Sequence, residues 1–297
     1  MKQELHSFGP GVVPEVHSDS RNSLQDWFGD FRRERAEARI EPAGRRSRAI
    51  IAMVHNEPVF FPIWLRYYSQ FFRPEEIFIL DHETTDGSTD GEGFTRIPVT
   101  REHFSHEWQV GEVEALQREL LETHDIVVAV DVDELIVPSP SMGDLGSYLD
   151  RFDEPFVSCL GYEIVHLPDR EPAFDPSRPV LEQRRYWSEN SVYNKSSIAT
   201  EPSRWVPGFH RRVDFHFRCD PDLRLIHLHR IDYDLCRARH QRWADRNWDS
   251  EDLGEGWGGH NRIAGGDEFD AWYFSNSGFD RFKLRLEEIP PEWRGAF

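Results

Sequence analysis

A regular alternation of apolar strands and helical stretches is the feature that most constrains the fold of this chain. Strand patterns cover residues 48–54 (RAIIAMV), 76–80 (EIFIL), 95–99 and 126–130. Helical patterns at residues 58–72 and 108–123 separate the first strand from the second and the third from the fourth. Strands that alternate with helices of about a dozen residues indicate βαβ units. The sequence therefore predicts an α/β fold around a largely parallel sheet.

The remaining segments divide the chain into three expected regions, residues 1–46, 47–235 and 236–297. The first is an N-terminal arm that carries an amphipathic helix at residues 23–39, and the last is a C-terminal helical extension packed on the central domain. Further elements are expected as follows: helices at 142–152, 232–248 and 279–288, extended segments at 156–165 and 224–228, and a mobile glycine-rich loop at 254–266.

The charge and cysteine content narrow the classes of function. A formal net charge of −19 argues against a general nucleic-acid binder and against a polybasic membrane-surface protein, because both need a basic surface. No segment approaches the ~18–20 apolar residues of a membrane span. The three cysteines form no C-x-x-C pair, and an odd number suits a reducing compartment. We therefore expect a soluble cytoplasmic protein.

Acidic and polar residues follow three of the predicted strands. The first strand runs into His55, Asn56 and Glu57, the second into the segment DHETTDG at 81–87, and the fourth into DVDE at 131–134. Ligands of open parallel sheets bind beyond the carboxyl ends of the strands. We therefore expect these three strand exits to meet at one site.

The segment DVDE concentrates negative charge at the end of a buried strand. If it is extended, Asp131 and Asp133 project to one side and Val132 points into the core, while Glu134 points elsewhere. Two carboxylates on one side favour Mg²⁺ or Mn²⁺. Each motif alone has a simpler reading, as a chance D-x-D, a capped turn or a helix start, but their occurrence in order, each after a strand, favours a site.

Together the segments IAMVHNE, ILDHETTDG and VAVDVDEL resemble the nucleotide-sugar glycosyltransferases of family 2 type, in particular a subgroup that contains D-x-D-E. The resemblance covers roughly residues 48–235, and His55 stands where this family more often has arginine. It implies the GT-A fold, with a Rossmann-like, mostly parallel central sheet flanked by helices. It also implies metal-dependent transfer of a sugar from a nucleoside diphosphate sugar to a small-molecule or glycan acceptor.

The resemblance assigns roles by position. Asp133 and Asp131 would hold Mn²⁺ or Mg²⁺, with His229, or His227 as second choice, completing the metal shell. A hydrogen-bonded core or surface histidine is the simpler alternative for each of these two. Residues expected to bind the nucleotide sugar are His55, Asn56, Glu57, Asp81, Asp86, Arg118, Asp131, Val132 and Lys195. Lys195, the only lysine away from the termini, would face a phosphate, although a solvated lysine, like a solvated Arg118, is the simpler interpretation.

An inverting hexosyltransferase also needs a group that deprotonates the acceptor. No sequence signal fixes that group, and Glu163, His210 and Asp232 are the candidates. The loop at 168–179 and Trp257 and Trp272 would form the acceptor pocket, with core packing as the alternative for the tryptophans. The segment QRRYW at 183–187 is similar to a signature of membrane-embedded processive synthases, but its arginine is out of register and no span is present, so we expect non-processive transfer.

Two other classes of function compete with the transferase. A nucleotidyltransferase or phosphohydrolase would use Asp131 and Asp133 with Mg²⁺, and a catalytically inactive module would bind a nucleotide or glycan without turnover. Neither accounts for the D-x-x-T-T-D-G segment as well as the transferase does. The donor sugar and base, the acceptor and the oligomeric state, a homodimer included, are left open by the sequence.

Overall fold

The computed structural model describes residues 44–263, 265–275 and 285–295. The helix expected at residues 23–39 lies outside the described residues. Within them, no helix is both long and apolar enough to cross a membrane.

One half of the sheet is parallel. Its strands are β1 (Arg48–Val54), β2 (Ile77–His82), β3 (Thr95–Val99) and β4 (Ile126–Ala129), side by side in the order β4-β1-β2-β3. Helix α1 (Phe60–Tyr68) follows β1, and helix α2 (His106–Leu120) precedes β4. Val54 pairs with Asp81 and Ile51 with Ala129, so the carboxyl ends of β1, β2 and β4 lie at the same edge. The α/β class and the parallel core strands are confirmed.

The other half of the sheet is mixed. Its strands are β5 (Glu134–Pro138), β6 (Phe156–Val165), β7 (Tyr186–Glu189), β8 (Ser196–Ala199), β9 (Cys219–Arg230) and β10 (Glu287–Glu288). Strand β8 joins β4 to β6 by antiparallel pairing, whereas β9 runs parallel to β6 and antiparallel to β5. This register places Glu134 and Glu163 on either side of His227.

Four sequence expectations for this half need correction. The strand expected at 224–228 is the longer β9, and the helix expected at 232–248 is the shorter α4 (Tyr233–Ala244). Helix α3 (Leu145–Asp150) precedes it in the chain and lies within the helix expected at 142–152. The glycine-rich segment contains the end of α5 (Ser250–Glu255) and a 3₁₀ turn rather than a continuous loop. Helix α6 (Gly266–Tyr273) comes next. The helix expected at 279–288 is wrong for its last two residues, because Glu287 and Glu288 form the strand β10. Residues 276–284 of that prediction lie outside the described residues.

The parallel strands β1, β2 and β4 are buried on both faces, as strands covered by helices on each side must be, whereas β3 at the edge of the sheet is largely exposed. On β1, Ile50, Ala52 and Val54 contribute to a core under α1, whereas Ala49 and Ile51 contribute to a second core under α2. Because both faces are filled with apolar side chains, polar groups can gather only at the strand ends. The fold therefore directs the chemistry to the carboxyl edge of the sheet.

Candidate active site

A cavity opens at the carboxyl ends of β1 and β4. Because β1 and β4 run in the same direction, His55 and Glu57 from one strand exit lie next to Asp131 and Asp133 from the other. Strand β9 and helix α4 close the opposite side. The histidine and aromatic residues that line the whole cavity are His55, His106, His210, His227, His229, His260, Phe104, Tyr193, Phe209, Trp243, Trp248 and Trp272.

The segment from Asp131 to Glu134 is a turn and not an extended strand. Strand β4 ends at Ala129, and the Glu134 N–H donates to the Asp131 carbonyl over 3.1 Å. Alternation along a strand therefore does not apply, and the two aspartates do not share a cation. Val132 lines the cavity, but Asp131 and Asp133 enter two different charge clusters.

The first cluster, which we call the Lys195 cluster, joins Lys195 to Asp131 and Glu134. The Lys195 Nζ lies 2.6 Å from Asp131 Oδ2 and 2.7 Å from Glu134 Oε1. Burial opposes protonation of Lys195, but the two carboxylates raise its pKa above the usual range. Glu134 also accepts the Asp131 N–H at 3.1 Å, so it fixes both the lysine and the turn. The sequence interpretation that Glu134 points away is therefore wrong.

The second cluster, the Arg239 cluster, joins Arg239 of α4 to Glu57, Asp133 and His229. The Arg239 Nε and Nη2 donate to Glu57 Oε1 at 2.9 and 2.7 Å, and Nη1 donates to Asp133 Oδ2. Burial opposes ionisation of Asp133, but Arg239 and His227 hold its pKa well below the usual range. The ion pair is removed from solvent on both sides, since Arg239 and Asp133 side chains are 3% and 6% exposed.

Hydrogen-bond geometry fixes the proton positions in the Arg239 cluster. The Ile263 carbonyl can only accept, so His240 Nδ1 donates to it at 2.9 Å and leaves His240 Nε2 as an acceptor. His229 Nε2 must then donate to that atom at 2.7 Å. The lone pair of His229 Nδ1 consequently accepts from Arg239 Nη1 at 3.0 Å. Burial supports these neutral forms by lowering the pKa of His229 to about 4 and that of His240 to about 2.

The predicted metal ligands only partly fit a divalent ion. Ligand atoms of Asp133, His227 and His229 lie within 4.8 Å of one another, as a metal site requires. However, Arg239 Nη1 already engages Asp133 Oδ2 and the His229 lone pair, which are two of the electron pairs that an ion would need. Asp131 is held by Lys195 outside this set. As these residues stand, a guanidinium fills the point where the ligands converge.

Behind the Arg239 cluster lies a histidine–carboxylate pair. His227 Nδ1 is 3.0 Å from Glu163 Oε1, and its Nε2 is 3.4 Å from Asp133 Oδ2. Burial opposes the charge on His227, but Glu163 and Asp133 raise its pKa to about 10. The rings of His227 and His229 stack 5.6 Å apart, which confirms that these residues share one face of β9.

Arg246 differs from the other cations of the cavity. Its guanidinium stacks 4.0 Å from the Phe104 ring, and Nη2 donates to His82 Nδ1 at 2.6 Å. It forms no ion pair with a carboxylate in the described part of the chain. Burial lowers its pKa to about 10, so it remains protonated near neutral pH. Glu57 and Glu83 act on Arg246 only from a distance, so among the described residues it offers a positive charge that no carboxylate holds in an ion pair.

Three of the predicted nucleotide-binding residues hold a loop and do not line the cavity. Asn56 has a positive φ of 54°, and its Oδ1 accepts the N–H groups of Thr85 and Asp86 at 2.8 and 3.2 Å. Asp81 is buried, accepts the Thr84 N–H at 3.0 Å and pairs with Arg96. These bonds tie the first two strand exits together, so Asn56, Asp81 and Asp86 shape the edge without facing the cavity.

The remaining predicted residues also divide into those that line the cavity and those that do not. Arg118 is exposed on α2 and does not line the cavity. Asp232 is the N-cap of α4, accepts from Phe174 N–H at 2.9 Å and pairs with Arg184 at 3.2 Å. Glu163 is buried behind His227. Of the three predicted proton acceptors only His210 lines the cavity, together with the binding residues His55, Glu57, Asp131, Val132 and Lys195.

Arg239, Arg246, His106 and Asp252 were missed by the sequence analysis. One signal could have indicated Arg239: Cys236, Arg239, His240 and Trp243 follow the i, i+3, i+4, i+7 spacing of a helix face that packs inward. An arginine and a histidine on such a face need buried partners. No local signal identifies the partners themselves, because they lie far away in sequence.

No protein-family model matches the chain, and no curated protein matches it. Among solved structures, it is similar to a mannosyltransferase from Pyrobaculum calidifontis in complex with GDP-mannose and Mn²⁺, at 13% sequence identity and a TM-score of 0.37. The match covers 77% of this chain and 70% of that one.

Proposed function

We propose that this chain is a glycosyltransferase that takes a hexose from a nucleoside diphosphate sugar and passes it, one residue at a time, to an acceptor hydroxyl. The observation that carries this proposal is that Arg246, which no described carboxylate holds in an ion pair, and the half-buried Asp131 line one cavity at the carboxyl edge of a parallel sheet. The likeness of the three strand exits to family 2 glycosyltransferases supports the same function.

Each part of a donor finds a matching group in the cavity. Arg246 presents a planar fork of N–H donors that suits a diphosphate. Asp131, whose side chain is 32% exposed, offers a carboxylate oxygen to ribose hydroxyls while Lys195 holds it in place. The rings of Trp243, Trp248 and Trp272 supply flat apolar faces for a sugar or a base.

The carboxylates favour a single displacement with inversion at the anomeric carbon. A double displacement needs a free carboxylate as nucleophile. Glu57 and Asp133 are bound to Arg239, and Asp131 to Lys195, so each carboxylate that lines the cavity already has a cationic partner. Binding of Mn²⁺ or Mg²⁺ with the donor stays a prediction, and it requires Arg239 to release Asp133 and His229.

Calorimetric titration with a panel of nucleoside diphosphate sugars, with and without Mn²⁺, tests the proposal. We expect one donor to bind, and Arg246→Ala to weaken its affinity about 10- to 100-fold, equivalent to about 1.4–2.7 kcal/mol. Arg242→Ala, which removes an exposed arginine from α4 four positions before Arg246, is the control and should leave binding unchanged.

The rival functions give different products in the same experiments. Release of pyrophosphate or phosphate without sugar transfer would indicate a nucleotidyltransferase or phosphohydrolase. Binding of a donor with neither transfer nor hydrolysis would indicate an inactive binding module. The absence of binding by every donor in the panel, with and without Mn²⁺, would refute the proposed function.

A further inference from the structure

The proposed transfer needs a group that removes the proton of the acceptor hydroxyl. Of the three residues predicted for this step, only His210 lines the cavity, and burial lowers its pKa to about 3. His210 Nδ1 donates to the Val192 carbonyl at 2.8 Å, and among the described residues no carboxylate pairs with its ring to stabilise the imidazolium. A second imidazole of the cavity wall, His106, has the partner that His210 lacks.

His106 is the first residue of α2, and it is bound to a fully buried carboxylate. Its Nδ1 lies 2.6 Å from Asp252 Oδ2, and the same oxygen accepts the His106 backbone N–H at 3.0 Å. Asp252 is 0% exposed. An ionised carboxylate only accepts hydrogen bonds, so Nδ1 carries the proton of the neutral ring. The lone pair is then on Nε2, which has no hydrogen-bond partner among the described residues.

The ring of His106 is held in place from several sides. The ring centroids of Phe104 and Trp248 lie 5.2 and 5.6 Å away. Gly258, with a φ of +62°, passes so close that a Cβ there would lie 2.8 Å from His106 Cε1 and 3.1 Å from two Trp248 ring carbons. The glycine-rich segment therefore shapes the cavity wall, and a side chain at position 258 would displace the imidazole.

Burial and the surrounding charged groups together determine the pKa of His106, and two of these groups belong to the proposed donor site. Burial lowers its pKa, and the carboxylates of Asp252 and Asp131 oppose this effect. Arg246 adds to the lowering, and His260, which also lines the cavity, lies on the 3₁₀ turn close enough to interact electrostatically with His106. The two residues assigned to the donor, Asp131 and Arg246, are thus near enough to act on this imidazole.

We propose that His106 is the catalytic base of the transfer and that Asp252 is its positioning residue, an inference that rests on the proposed function. The acceptor O–H proton passes to His106 Nε2 while the acceptor oxygen bonds to the anomeric carbon. The bond from that carbon to the diphosphate oxygen breaks, and its electron pair leaves with the nucleoside diphosphate. The Asp252 carboxylate stabilises the imidazolium that forms.

Nitrogen NMR of the histidine side chains tests the dyad without any substrate. We expect His106 to carry its proton on Nδ1 in the wild-type protein. Asp252→Asn should lower the His106 pKa by about one unit, because the charged ring loses its anionic partner. A proton on Nε2, or an unchanged pKa in Asp252→Asn, would overturn the assignment.

Donor turnover tests the catalytic role, with the best donor of the panel and water as the acceptor. General-base catalysis contributes about 10²–10⁴-fold, so His106→Gln should release nucleoside diphosphate at least about 100-fold more slowly while it binds this donor within about threefold of wild type. The wild-type rate should rise with pH as His106 loses its proton, and this rise should be absent in His106→Gln. Asp252→Asn and Gly258→Ala should each slow release about 10-fold. His103→Gln, an exposed histidine before α2, is the control.

The failures of the two proposals are distinguishable. If wild-type protein binds no donor, the transferase function and the base assignment both fall. If His106→Gln binds the donor and turns it over at the wild-type rate, only the base assignment falls. If wild type binds the donor but neither transfers nor hydrolyses its sugar, the chain is a binding module, and the base assignment falls together with the transferase function.

Discussion

The Lys195 cluster and the Arg239 cluster each contain one aspartate of the DVDE segment. These aspartates, Asp131 and Asp133, are two residues apart in the chain but differ in exposure and in the number of groups that share their cation. Asp131 keeps 32% of its side chain exposed, and its partner Lys195 is shared with the buried Glu134. Asp133 keeps only 6%, and its partner Arg239 is also bound to Glu57 and His229. Asp131 can therefore exchange its protein partner for a ligand at low cost, whereas for Asp133 the same exchange costs much more.

This difference shows how an acidic motif can serve two purposes. A carboxylate at the solvent boundary retains part of its hydration when its partner moves, so it suits binding. A buried carboxylate that loses its cation becomes an uncompensated charge in an apolar region. We therefore propose that Asp131 contacts the ligand and that Asp133 anchors α4 against the sheet edge.

The largest expected effect comes from Arg239→Ala, which strips both Glu57 and Asp133 of their cation. We expect the free energy of unfolding to fall by about 3–5 kcal/mol, measured by urea denaturation. Arg178→Ala, which breaks the exposed pair with Glu182, is the control and should cost under about 1 kcal/mol. Similar losses for the two variants would remove the distinction between buried and exposed pairs.

The same variant tests the metal hypothesis. Without the guanidinium, Asp133, His227 and His229 surround an open point, and we expect Arg239→Ala to bind Mn²⁺ more tightly than wild type does. Electron paramagnetic resonance of Mn²⁺ titrations measures this directly. Tight Mn²⁺ binding by wild type in the absence of donor would contradict the view that Arg239 fills the site.

A smaller effect is expected when the two aspartates are replaced one at a time. Asp133→Asn should lower the free energy of unfolding by about 2–3 kcal/mol, because a buried charge-assisted hydrogen bond is lost. Asp131→Asn should cost less than about 1 kcal/mol and instead weaken donor binding. The comparison breaks if both variants lose the same stability, or if only Asp133→Asn weakens binding while folded.

The smallest effect is a dependence of stability on pH that occurs in two stages. Burial lowers the pKa of His82 to about 4 and that of His210 to about 3, so the unfolded chain binds protons first and stability falls as pH drops below about 6.5. The pKa of Asp133 lies well below its usual value, so its contribution is lost only below about pH 4. Asp81 and Glu163 also have lowered pKa values, so thermal melts should show a second stage that is smaller in Asp133→Asn than in Asp131→Asn but still present.

The sequence predicted the parallel half of the sheet because local patterns determine it. Apolar runs gave β1 and β3 at their observed bounds, and the strand exits located the cavity edge. The turn at Asp131 to Glu134 was not predicted, since a hydrogen bond between Glu134 N–H and the Asp131 carbonyl replaces the expected extension. Acidic residues after a strand indicate a site, but their sequence does not determine whether they share one cation.

The side-chain partners were not predictable for a different reason. Arg239 meets Glu57 across 182 positions of the chain, and His106 meets Asp252 across 146, so no local pattern contains both members of either pair. Of the predicted proton acceptors, Glu163 and Asp232 are committed to buried partners. Only the packing of α4 and α5 against the sheet edge reveals which residues face the cavity.

The hydrogen bond from His240 to the Ile263 carbonyl has an evolutionary consequence. A peptide carbonyl cannot be mutated away, so it imposes one direction on the chain of donors that runs through His240 and His229 to Arg239. Replacing any one of these side chains by a residue that cannot continue this direction leaves a buried donor or acceptor of its neighbour without a partner. Lineages that descend from this protein should therefore exchange positions 229, 239 and 240 together or not at all.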